Sequence, residues 1–165
     1  MRRPSVLLGL LLIGTIAWAC GDKLMLVMGS RMGLIKPLHP AAILAYPGQG
    51  SGAAVIRSFQ TQAAFKKAGH RVQLVENPAA LDQALKAGKY DVVVADVTNA
   101  NEVSQEVSSA PSKPVLLPVA YKASKDEQSA AQKKYHCLLK APGDTDNYLA
   151  AIDQAMDLKL KAGAR

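Results

Sequence analysis

Four consecutive apolar residues without a polar break, Val92-Val93-Val94-Ala95, restrict the fold of this chain more than any other segment. A strand of that composition has no side to offer to water. It must be covered on both faces, the condition of a central strand in a parallel sheet. It ends in Asp96. Other runs repeat the theme: residues 42–46 make a short apolar strand closed by Pro47 and three glycines, 71–75 a second, 115–119 a fourth and 136–139 a fifth.

Helical signals fill the gaps. Ser51 stands as the cap of a helix that carries Val55, Ile56, Phe59, Ala63 and Ala64 on one face and stops at Gly69. Asn77-Pro78 sets an N-cap before a proline at the first helical position, Leu81, Ala84 and Leu85 form the apolar stripe, and Gly88 ends it. A weaker third helix covers 101–109 and is followed by the Pro-rich linker 110–114. Ser124 with Glu127 has the form of a capping box for a fourth helix reaching Tyr135. Asp144 caps a final helix bearing Leu149, Ile152, Met156 and Leu160 at helical spacing. Strands alternating with helices predict an α/β fold, a three-layer α/β/α sandwich on a five-stranded parallel sheet, because each parallel crossover needs a helix. The expected strand order is 2-1-3-4-5.

The N-terminus follows different rules. Arg2 and Arg3 precede an apolar run over 6–16, and Ala17-Trp18-Ala19 is a small-x-small cleavage site, so residues 1–19 read as a secretory signal peptide. The run is shorter than the roughly 20 residues that span a bilayer. Pro4-Ser5 after the arginines lacks the twin-arginine pattern, which favours the general export route. Cys20 directly after the cleavage site resembles the lipobox cysteine of bacterial lipoproteins, although Ala17 and Trp18 stand where Leu and a small residue are usual. Two outcomes follow: a membrane-anchored lipoprotein acylated on Cys20, or a freely secreted or periplasmic protein. Residues 20–40 read as a tether and 41–165 as the domain. Met25, Met28 and Met32 in the tether have no Cys or His at helical spacing to complete a Cu(I) site, and they read as gap-fillers. No metal or other cofactor is expected.

Composition narrows the function classes. Hydrophobic residues make up 49% and charged residues 20%, which is a globular balance. Aromatic residues are only 5%, too few for a stacking platform on single-stranded nucleic acid. The formal net charge is +7, but the lysines are dispersed over solvated helix faces, and no basic run is dense enough to argue for nucleic acid. His39, His70 and His136 are scattered, Gly50-Ser51-Gly52 is not a nucleophile elbow of G-x-S-x-G form, and Cys137 reads as an inert buried thiol. No enzyme activity is expected.

From residue 42 to about 163 the chain resembles the receiver domain of two-component response regulators, a flavodoxin-like fold. The resemblance rests on Tyr90-Asp91-Val92-Val93-Val94-Ala95-Asp96, Pro114-Val115-Leu116-Leu117 and Leu138-Leu139-Lys140-Ala141-Pro142. It implies that Asp96 holds the place of the phosphoryl-accepting aspartate and Lys140 that of the lysine contacting the phosphoryl oxygens. The departures imply a degenerate site. Tyr46-Pro47-Gly48-Gln49 stands where receivers carry two acidic Mg2+ ligands, Val119 or Ala120 replaces the expected Ser or Thr, and Ala141 separates Lys140 from the proline. With no metal between them, Asp96 and Lys140 are expected to form an ion pair.

A competing motif is Gly48-x-Gly50-x-x-Ala53 with Glu76 further on, which is similar to a dinucleotide-binding fingerprint and makes Gly48, Gly50, Ser51 and Gly52 a possible ligand-binding turn. The function expected from these features is a non-enzymatic interaction or sensing module of the cell envelope, incapable of phosphorylation. Its expected partner is an envelope protein, with the membrane reached through an anchor on Cys20. The alternative is a small-ligand or nucleotide-binding protein that uses the glycine turn.

Overall fold

The computed structural model describes residues 39–164. The readings of residues 1–19 as an export segment and of Cys20 as a lipidation site lie outside the described residues, as does nearly all of the 20–40 tether. Along the chain come β1 (Ala42–Tyr46), α1 (Ala53–Ser58), α2 (Ala63–Lys67), β2 (Arg71–Leu74), α3 (Pro78–Ala87) and β3 (Val92–Asp96). Then follow α4 (Ala100–Ser109), β4 (Val115–Tyr121), α5 (Lys125–Tyr135), β5 (Leu139–Ala141) and α6 (Thr145–Gly163). All strand pairs are parallel, as the alternation of elements predicts, and the order is the expected β2-β1-β3-β4-β5.

Alternation along β3 sorts the core into two layers. Val92 and Val94 pack with Ile56, Phe59, Phe65 and Ile152 beneath α1, α2 and α6. Val93 and Ala95 pack with Leu81, Leu85 and Val103 beneath α3 and α4. Every side chain of Val92-Val93-Val94-Ala95 is fully buried, the outcome that an unbroken apolar run requires. Each large apolar side chain so buried contributes about 1.5–3 kcal/mol.

Three expectations need correction. The first helix is broken: α1 ends at Ser58 and α2 starts at Ala63. Phe59 and Phe65 are six residues apart, which on one continuous helix would aim them roughly 120° away from each other. The break, tied by Gln62 Nε2 and Thr61 Oγ1 bonding to Ser58, turns both rings inward, where they stack at 4.7 Å between centroids. Ser51 makes no cap; Gly52 is the N-cap residue and Ser51 is exposed. The fifth strand spans Leu139–Ala141 rather than 136–139, because His136 takes a left-handed conformation (φ 62°) that ends α5. Cys137 consequently lies in the core before β5, its thiol 3.4 Å from the Leu116 carbonyl. The capping box at Ser124 and the caps at Asn77 and Asp144 form as expected.

The end of the sheet where the strands begin is pinned by side chains. Gly69 (φ 82°) closes α2 in a left-handed turn, in which Gly69 N–H bonds Lys66 O and His70 N–H bonds Phe65 O. His70 then accepts the Ala41 N–H at Nδ1 (3.1 Å), and Asp91 accepts the Ala42 N–H (2.8 Å) while Lys159 donates to Asp91 (2.7 Å). Burial pushes the Asp91 carboxyl up, but these two donors outweigh it and hold it below its ordinary value.

His70 carries a pH dependence. Its ring is 3% exposed, and burial pushes the imidazole below its ordinary value, against the weaker pull of Asp153. In the unfolded chain a histidine titrates near about 6.5. Below that pH the unfolded chain takes up a proton that the folded one resists. The contribution to stability is therefore full above about 6.5 and is lost as pH falls toward the lower folded value. Urea midpoints should drop between about pH 7.5 and about pH 5.5. His70→Gln, which keeps an acceptor for Ala41, should flatten that part of the profile, and an unchanged slope in the variant would assign the dependence elsewhere.

Candidate functional site

Parallel sheets of this order place their crevice at the carboxyl ends of the central strands, here β1 and β3. Asp96 ends β3 and is fully buried. By alternation it shares the face of Val92 and Val94, and its partner in register is Val119, which belongs to the same core layer. One carboxylate oxygen accepts the Gly52 N–H at 2.6 Å. The other accepts the Thr98 N–H at 2.9 Å and the Thr98 hydroxyl at 2.7 Å.

These bonds explain the glycine turn. The loop after β1 comes down onto Asp96 so closely that a Cβ on Gly50 would lie 2.1 Å from the carboxyl carbon, and one on Gly52 would lie 2.8 Å from Oδ2. A Cβ on Gly48 would lie 2.9 Å from Asn99 Oδ1. Gly48, Gly50 and Gly52 thus pack on the β3–α4 turn, while Ser51 faces solvent. The backbone donor at the start of α1, which the dinucleotide-like reading assigns to an external phosphate, is taken by the protein's own carboxylate.

Lys140 is not brought to this place. It is exposed in β5 and pairs in register with Ala120, whose side chain lies in the layer under α5, opposite to the layer of Val119. Asp96 and Lys140 therefore project from opposite faces of the sheet. The expected ion pair does not form; Asp91–Lys159, Asp82–Lys86 and Glu76–Arg57 are ion pairs among the described residues. The residue next to Pro142 on the Asp96 face is Ala141, 6% exposed.

Thr98 is a site residue that the sequence reading missed. Its signal was present: an Asp followed two residues later by Thr at a strand end is a pattern for a turn closed by side-chain bonds to the backbone. Nearby, burial pushes the Tyr46 phenol up, helped by the negative charges of Glu106 and Glu102 on α4. Among the described residues, no group of three or more His, Cys, Asp or Glu side chains is arranged to hold a metal ion.

Fold and site together define a three-layer α/β protein whose strand-end carboxylate is bonded to its own loops. The chain matches no family model, no curated protein and no solved structure.

Proposed function

We propose that this domain is a non-enzymatic interaction or sensing module of the cell envelope, with a receiver-like site that takes no phosphoryl group. The observation that carries the reading is the engagement of Asp96. Both of its oxygens are bonded internally, at 2.6, 2.7 and 2.9 Å, beneath glycines that touch the carboxyl group. An acyl phosphate at this carboxyl would need room for three more oxygens and a cation to neutralise them. The end of β1 and the loop after it offer Tyr46, Pro47 and Gln49 instead of acids, and Lys140 projects from the other face of the sheet.

Incubation of the protein with Mg2+ and acetyl phosphate should leave its intact mass unchanged. A stable phosphorylated species that disappears in Asp96→Asn would overturn the reading. The same engagement argues against a nucleotide on the glycine turn, so nucleotides and inorganic phosphate should leave the melting temperature of the wild-type protein where it is.

A further inference from the structure

Charge is sorted between the two ends of the sheet. Each helix returns the chain to the start of the next parallel strand, so the helix C-termini gather where the strands begin. At that end Lys86 and Lys89 flank Gly88, Lys113 precedes β4, Lys159 and Lys161 lie late in α6, and Arg71 opens β2. Among the acids there, Asp91 is held by Lys159 and Asp82 by Lys86, each at 2.7 Å, and Asp157 lies 3.7 Å from His39, while Glu106 and Asp153 each keep a buried oxygen without a hydrogen-bond partner among the described residues. The opposite end carries Glu76, Glu102, Asp126, Glu127, Asp144 and Asp146, in the turn after β2 and at the starts of α4, α5 and α6, against Lys122, Lys125, Lys140 and the Arg57 that pairs with Glu76, so acids outnumber bases there.

Complementing helix ends explains part of this pattern, since cations near a C-terminus and anions near an N-terminus are both stabilising. That accounts for Lys86 in the last turn of α3. It does not account for Lys89 and Lys113, which lie in turns and are exposed, or for Arg71, which is in a strand. Two further observations fall on the same end. Between the α3–β3 and α4–β4 turns it opens into a cavity of about 450 Å³ lined by Lys86, Lys89, Lys159, Tyr90, Asp91 and Ser112, in which Asp91 is neutralised by Lys159 and Lys89 makes no ion pair among the described residues. The Ser112 hydroxyl is buried there without a hydrogen-bond partner among the described residues. The chain also enters the domain here: Pro40 leads into β1, so residues 1–38, with the export segment and Cys20 read from the sequence, are joined to the domain at its basic end.

We propose that this end docks on an anionic lipid surface, with the cavity between the two turns receiving a phosphate headgroup. Charge complementarity and the point of chain entry select this partner. A segment anchored in a bilayer would keep the basic end within a tether's reach of the headgroups, and each lysine that meets the surface strengthens binding by about fivefold. The inference is independent of the Asp96 site, which is at the other end of the strands.

The test uses the full chain with vesicles of phosphatidylcholine alone or mixed with phosphatidylglycerol. An apolar leader or acyl chain would hold the protein on both, so the readout is the ratio of the two partition coefficients, together with acylation of lysines followed by mass spectrometry. The ratio should exceed one and fall with added salt. It should drop roughly a hundredfold in the triple variant Lys89→Gln, Lys113→Gln, Lys161→Gln. On anionic vesicles Lys89, Lys113 and Lys161 should be shielded in the wild-type protein while Lys122, Lys125 and Lys140 stay reactive. Equal partitioning onto both vesicles, or shielding of the second set instead of the first, would overturn the proposal. So would shielding of the first set by heparin or duplex DNA with none on vesicles, which would make the partner a soluble polyanion.

Discussion

Replacing Gly50 by alanine should cost the domain about 3 kcal/mol or more, enough to leave a marginally stable fold largely unfolded. The added methyl carbon would lie 2.1 Å from the carboxyl carbon of Asp96 and 2.4 and 2.5 Å from its oxygens, all of them fully buried. Neither side can yield cheaply. The carboxylate is bonded on both oxygens, and moving the loop outward breaks the 2.6 Å bond from Gly52. Because the clash is with the carboxyl group, Gly50→Ala combined with Asp96→Ala should lose clearly less than the sum of the two single changes. Urea denaturation of the four proteins measures this coupling, and a Gly50→Ala protein as stable as the wild type would show that the loop does not sit on Asp96.

Asp96→Asn tests the same contact without changing its size. Asp96 serves donors on both sides, Gly52 N–H at one oxygen and the Thr98 N–H and hydroxyl at the other. An amide has one oxygen, so its NH2 must face a donor whichever way it turns. Leaving a buried donor opposed costs about 1–3 kcal/mol, and the loss should lie near the upper end because the site is fully buried. Lys140→Ala, an exposed change, should stay within about 0.5 kcal/mol of the wild type, and the double variant should be additive. Coupling between the two positions would restore the ion pair that the strand register argues against.

The contrast between these two residues shows where the fold could be read from sequence. Val92-Val93-Val94-Ala95 had one physical solution, burial on both faces; the alternation of strands with helices implied the parallel sheet, and the usual topology of such sheets its order. The caps at Asn77, Ser124 and Asp144 depend only on neighbours along the chain, and they too were legible. Long-range registration was not. Which face Lys140 joins depends on β5 pairing with residues 119–121 of β4, and a shift of one residue sends a side chain to the other side. The extra residue before Pro142 was the visible trace of that shift. The break between α1 and α2 was hidden for a related reason. The apolar residues of that stretch fit one helix on paper, and only the need to bury two phenyl rings on the same layer breaks it. At the candidate site, the glycines and Asp96 were each visible as features of a crevice, but that they are each other's ligand could be seen only once β1 and β3 lay side by side.

Pro118, in the middle of β4, has a bearing on self-association. Backbone groups of a parallel strand point alternately to its two neighbours. The Val119 carbonyl accepts from Val97 on the β3 side, and Lys122 N–H reaches Ala141 O on the β5 side, so position 118 faces β5. Its ring nitrogen has no hydrogen to give, and β5 starts its pairing one residue later, at Val119. Below that level β4 is left without a strand beside it. The Leu116 carbonyl there is met by the Cys137 thiol, and Pro118 interrupts the row of donors that a stray strand from another molecule would need. The proline thus lets a short last strand end the sheet without turning the uncovered stretch of β4 into a template for fibre growth.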